Sequence, residues 1–166
     1  MISLINFTEL NDEQKDMVLS WRNHKEIRKW MYDTVKITKE NHYNFINSLN
    51  ERGDRVCFLV KNGSSNIGIV DFTSINYQKK ECEFGLYANP FGKISGMGRV
   101  LEKICIDYVF DTLKLFTLKL IILKCEVFSD NSRAIHLYRK FNFQQTELKT
   151  VNNKEVICME LKNENR

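Results

Sequence analysis

The segment Lys93-Ile94-Ser95-Gly96-Met97-Gly98-Arg99 sets two glycines between an apolar, strand-like run ending at Ala88-Asn89-Pro90 and a long amphipathic stretch that begins near Gly98. A loop in that place can aim backbone N–H groups, and the positive end of a helix dipole, at a phosphate. Two glycines can also serve a turn that needs φ > 0. A second block therefore decides how the first is read: Asn131-Ser132-Arg133-Ala134-Ile135-His136-Leu137-Tyr138-Arg139-Lys140-Phe141-Asn142-Phe143. Asn131 can cap a helix, and Tyr138 lies two turns further along it. A phenol with a pKa of about 10 stays protonated at neutral pH and can give its proton to a leaving group.

A third set of reactive side chains sits on strand-like sequence. By alternation Glu81, Glu83, Gly85 and Tyr87 share one face, with Cys82, Phe84 and Leu86 on the other. Asp71 ends a neighbouring apolar run, and Thr73 follows it.

Elements that could position these groups follow from periodicity. Ile2 to Phe7 reads as a strand, and Asn11 or Asp12 as the cap of a helix running toward Trp21. A second short helix is expected to carry Ile27, Trp30 and Met31. Thr38 opens a third, with Phe45, Ile46 and Leu49 on one side. Val56 to Val60, Ile67 to Phe72 and Cys82 to Tyr87 are short apolar runs separated by turn residues, an antiparallel meander. A helix from Gly98 to about Leu113 should bury Leu101, Ile104, Cys105, Tyr108 and Val109. Leu118 to Phe128 reads as a strand and Ser132 to Lys140 as a helix, and two final strands flank Asn152-Asn153.

The two motif blocks and the apolar strand between them resemble the acetyl-CoA-binding core of the Gcn5-related N-acetyltransferase (GNAT) family. The resemblance implies an α/β (α+β) fold, a twisted, mostly antiparallel mixed sheet of about seven strands with four to five helices. It implies acetyl-CoA as cosubstrate and no metal. Backbone groups of Leu86, Tyr87 and Ala88 would pair with the pantetheine arm, and Lys93, Ser95, Gly96, Met97, Gly98 and Arg99 would hold the pyrophosphate. Lys93 departs from the Arg or Gln usual at that position, which matters little where main-chain amides do the holding. Asn131 would bond the pantetheine arm. Tyr138 would face the coenzyme sulfur as acid, although a bare helical tyrosine is more often core. An acceptor amine must lose a proton, for which Glu83, directly or through water, and Asp71 compete. The N–H near Tyr87 would polarise the thioester carbonyl.

The segments Ile5-Asn6-Phe7-Thr8-Glu9-Leu10-Asn11, Trp21-Arg22-Asn23-His24, Trp30-Met31-Tyr32 and Cys82-Glu83-Phe84-Gly85-Leu86-Tyr87-Ala88 resemble, more narrowly, the N-acetyltransferases of pseudaminic acid biosynthesis. That implies transfer to the 4-amino group of UDP-4-amino-4,6-dideoxy-N-acetyl-β-L-altrosamine, a precursor of a flagellin sugar. Arg22 would then pair with the diphosphate through its planar fork, assisted by His42. Met31, Tyr32 and Phe45 would wall the 6-deoxy methyl, and Asp71 and Thr73 would meet sugar substituents. Each of these also has an ordinary packing role open to it. Two alternatives remain: an acetyltransferase of ribosomal-protein N-termini, which needs an open acidic groove, and a non-catalytic acetyl-CoA sensor, which needs no acid.

Composition narrows the classes. With 166 residues and sparse Gly and Pro, residues 1–166 are expected to form one domain. The net charge of +4 comes from cations scattered among carboxylates, so no nucleic-acid partner is expected. Cys57, Cys82, Cys105, Cys125 and Cys158 lie far apart within apolar patterns, which reads as reduced core thiols in a cytoplasmic protein. No basic-then-apolar leader opens the chain. Phe116 to Phe128 is too short to span a bilayer and is broken by Lys119 and Lys124, so no membrane partner is expected. Monomer and homodimer are both open, because a strand edge near the C-terminus could pair.

Overall fold

The computed structural model describes residues 1–92, 94–113 and 121–166. The chain runs β1 (Ile2–Asn6), α1 (Asp12–Arg22), α2 (Lys25–Arg28), α3 (Lys39–Ser48), β2 (Val56–Asn62), β3 (Ser65–Asn76) and β4 (Glu81–Ala88). It continues as α4 (Met97–Asp107), β5 (Ile122–Phe128), α5 (Ser132–Lys140), β6 (Gln144–Val151) and β7 (Lys154–Lys162). The seven strands form one sheet in the order β1-β2-β3-β4-β5-β7-β6. Neighbours are antiparallel except β4 and β5, which are parallel. This is the mixed sheet with five helices that the family resemblance implies.

Local chemistry sets the boundaries. Asn11 caps α1 in a reciprocal box with Gln14, and Thr38 caps α3 through the Asn41 amide. Asn152 and Asn153 take φ of 50° and 61°, the left-handed pair that closes a two-residue hairpin between β6 and β7. Strand alternation then divides the core. On one face Phe72, Cys82, Phe84, Leu123 and Cys125 meet Leu101 and Cys105 of α4, Val109 just beyond it and Ile135 of α5. On the other, Cys57, Leu59 and Ile69 meet Val18 and Trp21 of α1 and Ile46 of α3. Gly68 allows the first layer to close, since a Cβ there would lie 2.6 Å from Leu101 Cδ1 and 2.7 Å from the Tyr87 carbonyl oxygen. All five cysteines are free and buried.

Three expectations change. The second helix stops at Arg28, so Trp30 and Met31 lie in the turn after it and not on the helix. Arg28 causes this by donating from Nε to the Asn23 carbonyl and from Nη1 to the Thr34 carbonyl, which folds the chain back on itself. The helix from the glycine loop passes into a π-helical turn at Tyr108–Thr112, and Glu102, absent from the expected stripe, is fully buried. The strand expected from Leu118 is described from Ile122; residues 118–120 lie outside the described residues.

Candidate active site

The site begins where the sheet comes apart. β4 and β5 pair over three rungs only, Glu81 with Ile122, Cys82 with Leu123 and Glu83 with Lys124. Beyond them β4 keeps its bonds to β3, with Val70 opposite Leu86, Ile69 opposite Tyr87 and Gly68 opposite Ala88. β5 turns away toward β7. The edge of Leu86, Tyr87 and Ala88 that faces β5 thus lacks a strand among the described residues, and an extended chain of amides fits such an edge.

At the far end of β4 the loop delivers α4. Gly96 is left-handed (φ 82°) and serves as N-cap with no side chain bonding the first turn. Within that turn the Met97 amide bonds the Ile94 carbonyl and the Arg99 amide the Gly96 carbonyl, and the start of α4 turns the positive end of its dipole toward the loop, as anion-binding helix N-termini do. Gly98 faces α5, where a Cβ would make only ordinary contact with Leu137 Cδ2 at 3.4 Å. Ser95 and Arg99 are exposed beside it. Lys93 lies outside the described residues.

A cleft of about 660 Å³ is lined by Asn131 and Tyr138 and by Arg22, Met31 and Phe45. Asn131 caps α5 through the Ala134 amide at 3.3 Å. Tyr138 is only 8% exposed, its ring packed 5.7 Å from Phe84 and 5.9 Å from Phe143. Burial pushes its phenol well above the usual value, which keeps it protonated at neutral pH. The residue is core and cleft wall at once.

Glu83 and Thr73 face each other across β4 and β3 and both line the cleft. Burial, then the nearby charge of Glu126, pushes the Glu83 carboxyl upward, against the pull of Lys149 and Lys124. Asp71, two rungs along and opposite Gly85, is differently placed. Arg55 grips it with two donors, Nη2 at 2.6 Å and Nε at 3.2 Å, and the Cys57 thiol donates to it at 3.0 Å. Both its oxygens are engaged.

Arg22 ends α1 with Nη1 buried and without a hydrogen-bond partner among the described residues. Burial lowers its proton affinity, while Tyr87 and Asp33 oppose that shift. Its putting of an unmet donor into the cleft favours an anion there. His42 lines the cleft too, but its Nε2 meets the Lys15 carbonyl at 2.9 Å and joins α3 to α1. Burial pushes its pKa down, so it brings no positive charge at neutral pH. Met31 is half-buried. Phe45 carries the Arg55 guanidinium over its ring at 4.7 Å, and the Tyr32 hydroxyl donates to Glu126.

Arg55 and Glu126 were not among the residues expected at the site. Alternation signals both: Arg55, one residue before β2, is two from Cys57, and Lys124 and Glu126 alternate with buried Leu123, Cys125 and Val127 of β5.

A family model of the acetyltransferase (GNAT) domain matches residues 5–144. The chain belongs to the GNAT acetyltransferase family. Acetyltransferase PseH of Campylobacter jejuni subsp. jejuni (strain 81-176) is 40% identical over 143 residues, 86% of this chain and 85% of that protein. The crystal structure of the C. jejuni N-acetyltransferase PseH with acetyl coenzyme A superposes with a TM-score of 0.78 at 32% identity, covering 98% of this chain and 99% of that one. Spermidine N-acetyltransferase of Vibrio cholerae, solved with CoA and spermine, reaches a TM-score of 0.86 over 99% and 96% of the two chains. Its 20% identity makes that a likeness of fold alone. This GNAT protein is an acetyl-CoA-dependent N-acetyltransferase. Among the described residues no helix is long and apolar enough to cross a membrane, and no three His, Cys, Asp or Glu side chains cluster as metal ligands.

Proposed function

We propose that the protein transfers acetyl from acetyl-CoA to the 4-amino group of a UDP-linked 4-amino-4,6-dideoxy sugar, the pseudaminic acid pathway precursor UDP-4-amino-4,6-dideoxy-N-acetyl-β-L-altrosamine. One observation carries the reading: the cleft lined by Tyr138 is lined also by Arg22, whose Nη1 is buried without a hydrogen-bond partner among the described residues. An acceptor bearing a diphosphate satisfies that donor. A polyamine would leave it unmet and add positive charge beside it.

The residues divide the work. The free edge of Leu86 to Ala88 and the uncapped start of α4 hold the cosubstrate, which supplies the activated acetyl group. The Tyr87 amide polarises the acetyl carbonyl. Glu83 takes the proton from the acceptor nitrogen; Asp71, with both oxygens engaged by Arg55 and Cys57, orients that wall of the cleft. The nitrogen adds to the acetyl carbon, the carbon–sulfur bond breaks, and Tyr138 donates its proton to the departing sulfur. The transfer is direct, in a ternary complex with no covalent enzyme intermediate. We place the reaction in the cytoplasm, where acetyl-CoA and nucleotide sugars meet, and assign residues 1–166 to one domain.

Incubation with acetyl-CoA and the UDP-4-amino sugar should add one acetyl group to the sugar by mass spectrometry. A sugar left unmodified, with acetylation of a peptide N-terminus or of spermidine under the same conditions, overturns the assignment.

A further inference from the structure

Two carboxylates face each other at the base of the fork, and the mechanism above uses one. Glu83 occupies the last rung that β4 shares with β5, opposite Lys124. Two residues on, alternation puts Glu126 on the same face of the sheet but on the diverging arm. Both line the cleft. Glu126 is fixed from two sides: Lys149 of β6 donates to Oε1 at 2.5 Å, and the Tyr32 hydroxyl donates to Oε2. Tyr32 is anchored in turn, its carbonyl accepting from Asn152 Nδ2 at 2.8 Å and its ring standing edge-on to Phe128 at 5.6 Å. The segment following α2 thus crosses the cleft and orients one carboxylate.

We propose that Glu126 is a positioning residue for the acceptor: with Glu83 it forms a two-carboxylate clamp that receives the acceptor nitrogen as an ammonium ion between the arms of the fork. The proposal rests on the amine-acetylating reading above and not on the identity of the sugar. An alkyl amine reaches the enzyme protonated. Glu126, ion-paired with Lys149, attracts that cation. Glu83 accepts one proton from the ammonium nitrogen, which frees the lone pair that adds to the acetyl carbon. The groups facing Glu83 are consistent with this division. Glu81 and Lys124 flank it, Glu126 stands across the fork with Lys149 behind, and the Tyr32 phenol and the Cys82, Cys125 and Cys158 thiols are neutral. The balance raises Glu83, with Glu126 the principal neighbouring charge.

The test compares wild type with Glu126→Gln and Tyr32→Phe, the latter keeping the ring against Phe128 and removing only the donor. Glu126→Gln should raise KM for the acceptor about ten-fold, the equivalent of losing one charge-assisted contact, with KM for acetyl-CoA unchanged. The acid limb of kcat/KM should move to lower pH, because Glu83 loses a neighbouring negative charge. Tyr32→Phe should raise the acceptor KM in the same direction. A 13C titration of the Glu83 carboxyl should show the same downward shift with no acceptor present. An unmoved Glu83 titration and an unchanged acceptor KM overturn the clamp, and a lower melting temperature alone would make Glu126 an anchor for the Tyr32 segment. Should wild type acetylate spermidine or a peptide N-terminus in place of the sugar, the same constants on that amine decide the clamp separately from the sugar assignment.

Discussion

Tyr138 and Glu102 show opposite uses of burial at single residues. Burial holds the Tyr138 phenol protonated; if it is the acid of the proposed mechanism, Tyr138→Phe should cut kcat about 100-fold or more and leave KM for acetyl-CoA nearly unchanged in steady-state assays. Equal loss in kcat and in cofactor affinity would make the ring a packing element only. Glu102 lies at 0% exposure with neither carboxyl oxygen bonded to any described residue, and burial pushes its pKa up to about 8. A carboxyl raised in the folded state contributes stability that is fully present below its unfolded pKa, about 4.5, and is lost as pH rises through the folded value. Melting temperature should therefore fall between about pH 5 and 8. Glu102→Met, apolar and of similar volume, should flatten that profile and be the more stable protein at pH 8. A wild-type profile as steep in the variant would place the pH dependence elsewhere.

At the level of elements, Gly68 couples packing to the site. Gly68→Ala sets a methyl against Leu101 and against the Tyr87 carbonyl, whose backbone cannot swing aside. It should cost about 1–3 kcal/mol, and because it pushes on β4 it should also weaken acetyl-CoA binding. Denaturant melts and a cofactor titration check both; stability lost with binding intact would separate the two. Much at this scale was legible in the sequence. The Asn131 cap follows from local sequence and the meander from alternation and turn residues, whereas the glycine loop and Tyr138 gained their expected roles only through the family resemblance. What escaped depends on partners distant in sequence. Asp71 looked like a free carboxylate because nothing local shows that register brings Cys57 opposite it and Arg55 within reach. His42 looked available because its partner, the Lys15 carbonyl, is main chain on another helix. The second helix looked longer because its end is set by the side chain of Arg28 reaching to Asn23 and Thr34.

Across the whole molecule the five thiols report on global opening. Each is buried, and burial raises Cys57, Cys82, Cys105, Cys125 and Cys158 away from the reactive thiolate. A thiol reagent should label the native protein slowly and all five sites promptly in denaturant, as intact-mass kinetics would show. Rapid labelling of one site in the native state would mark a local opening at that strand.

The parting of β4 from β5 after three rungs leaves the sheet one strand short, and in the proposed reading the pantetheine arm takes that place. Anything that binds only the folded form stabilises it by mass action. Resistance of this protein to proteolysis should therefore track the supply of its own reactant. Proteolysis of the enzyme should slow as acetyl-CoA is added and quicken as it is withdrawn.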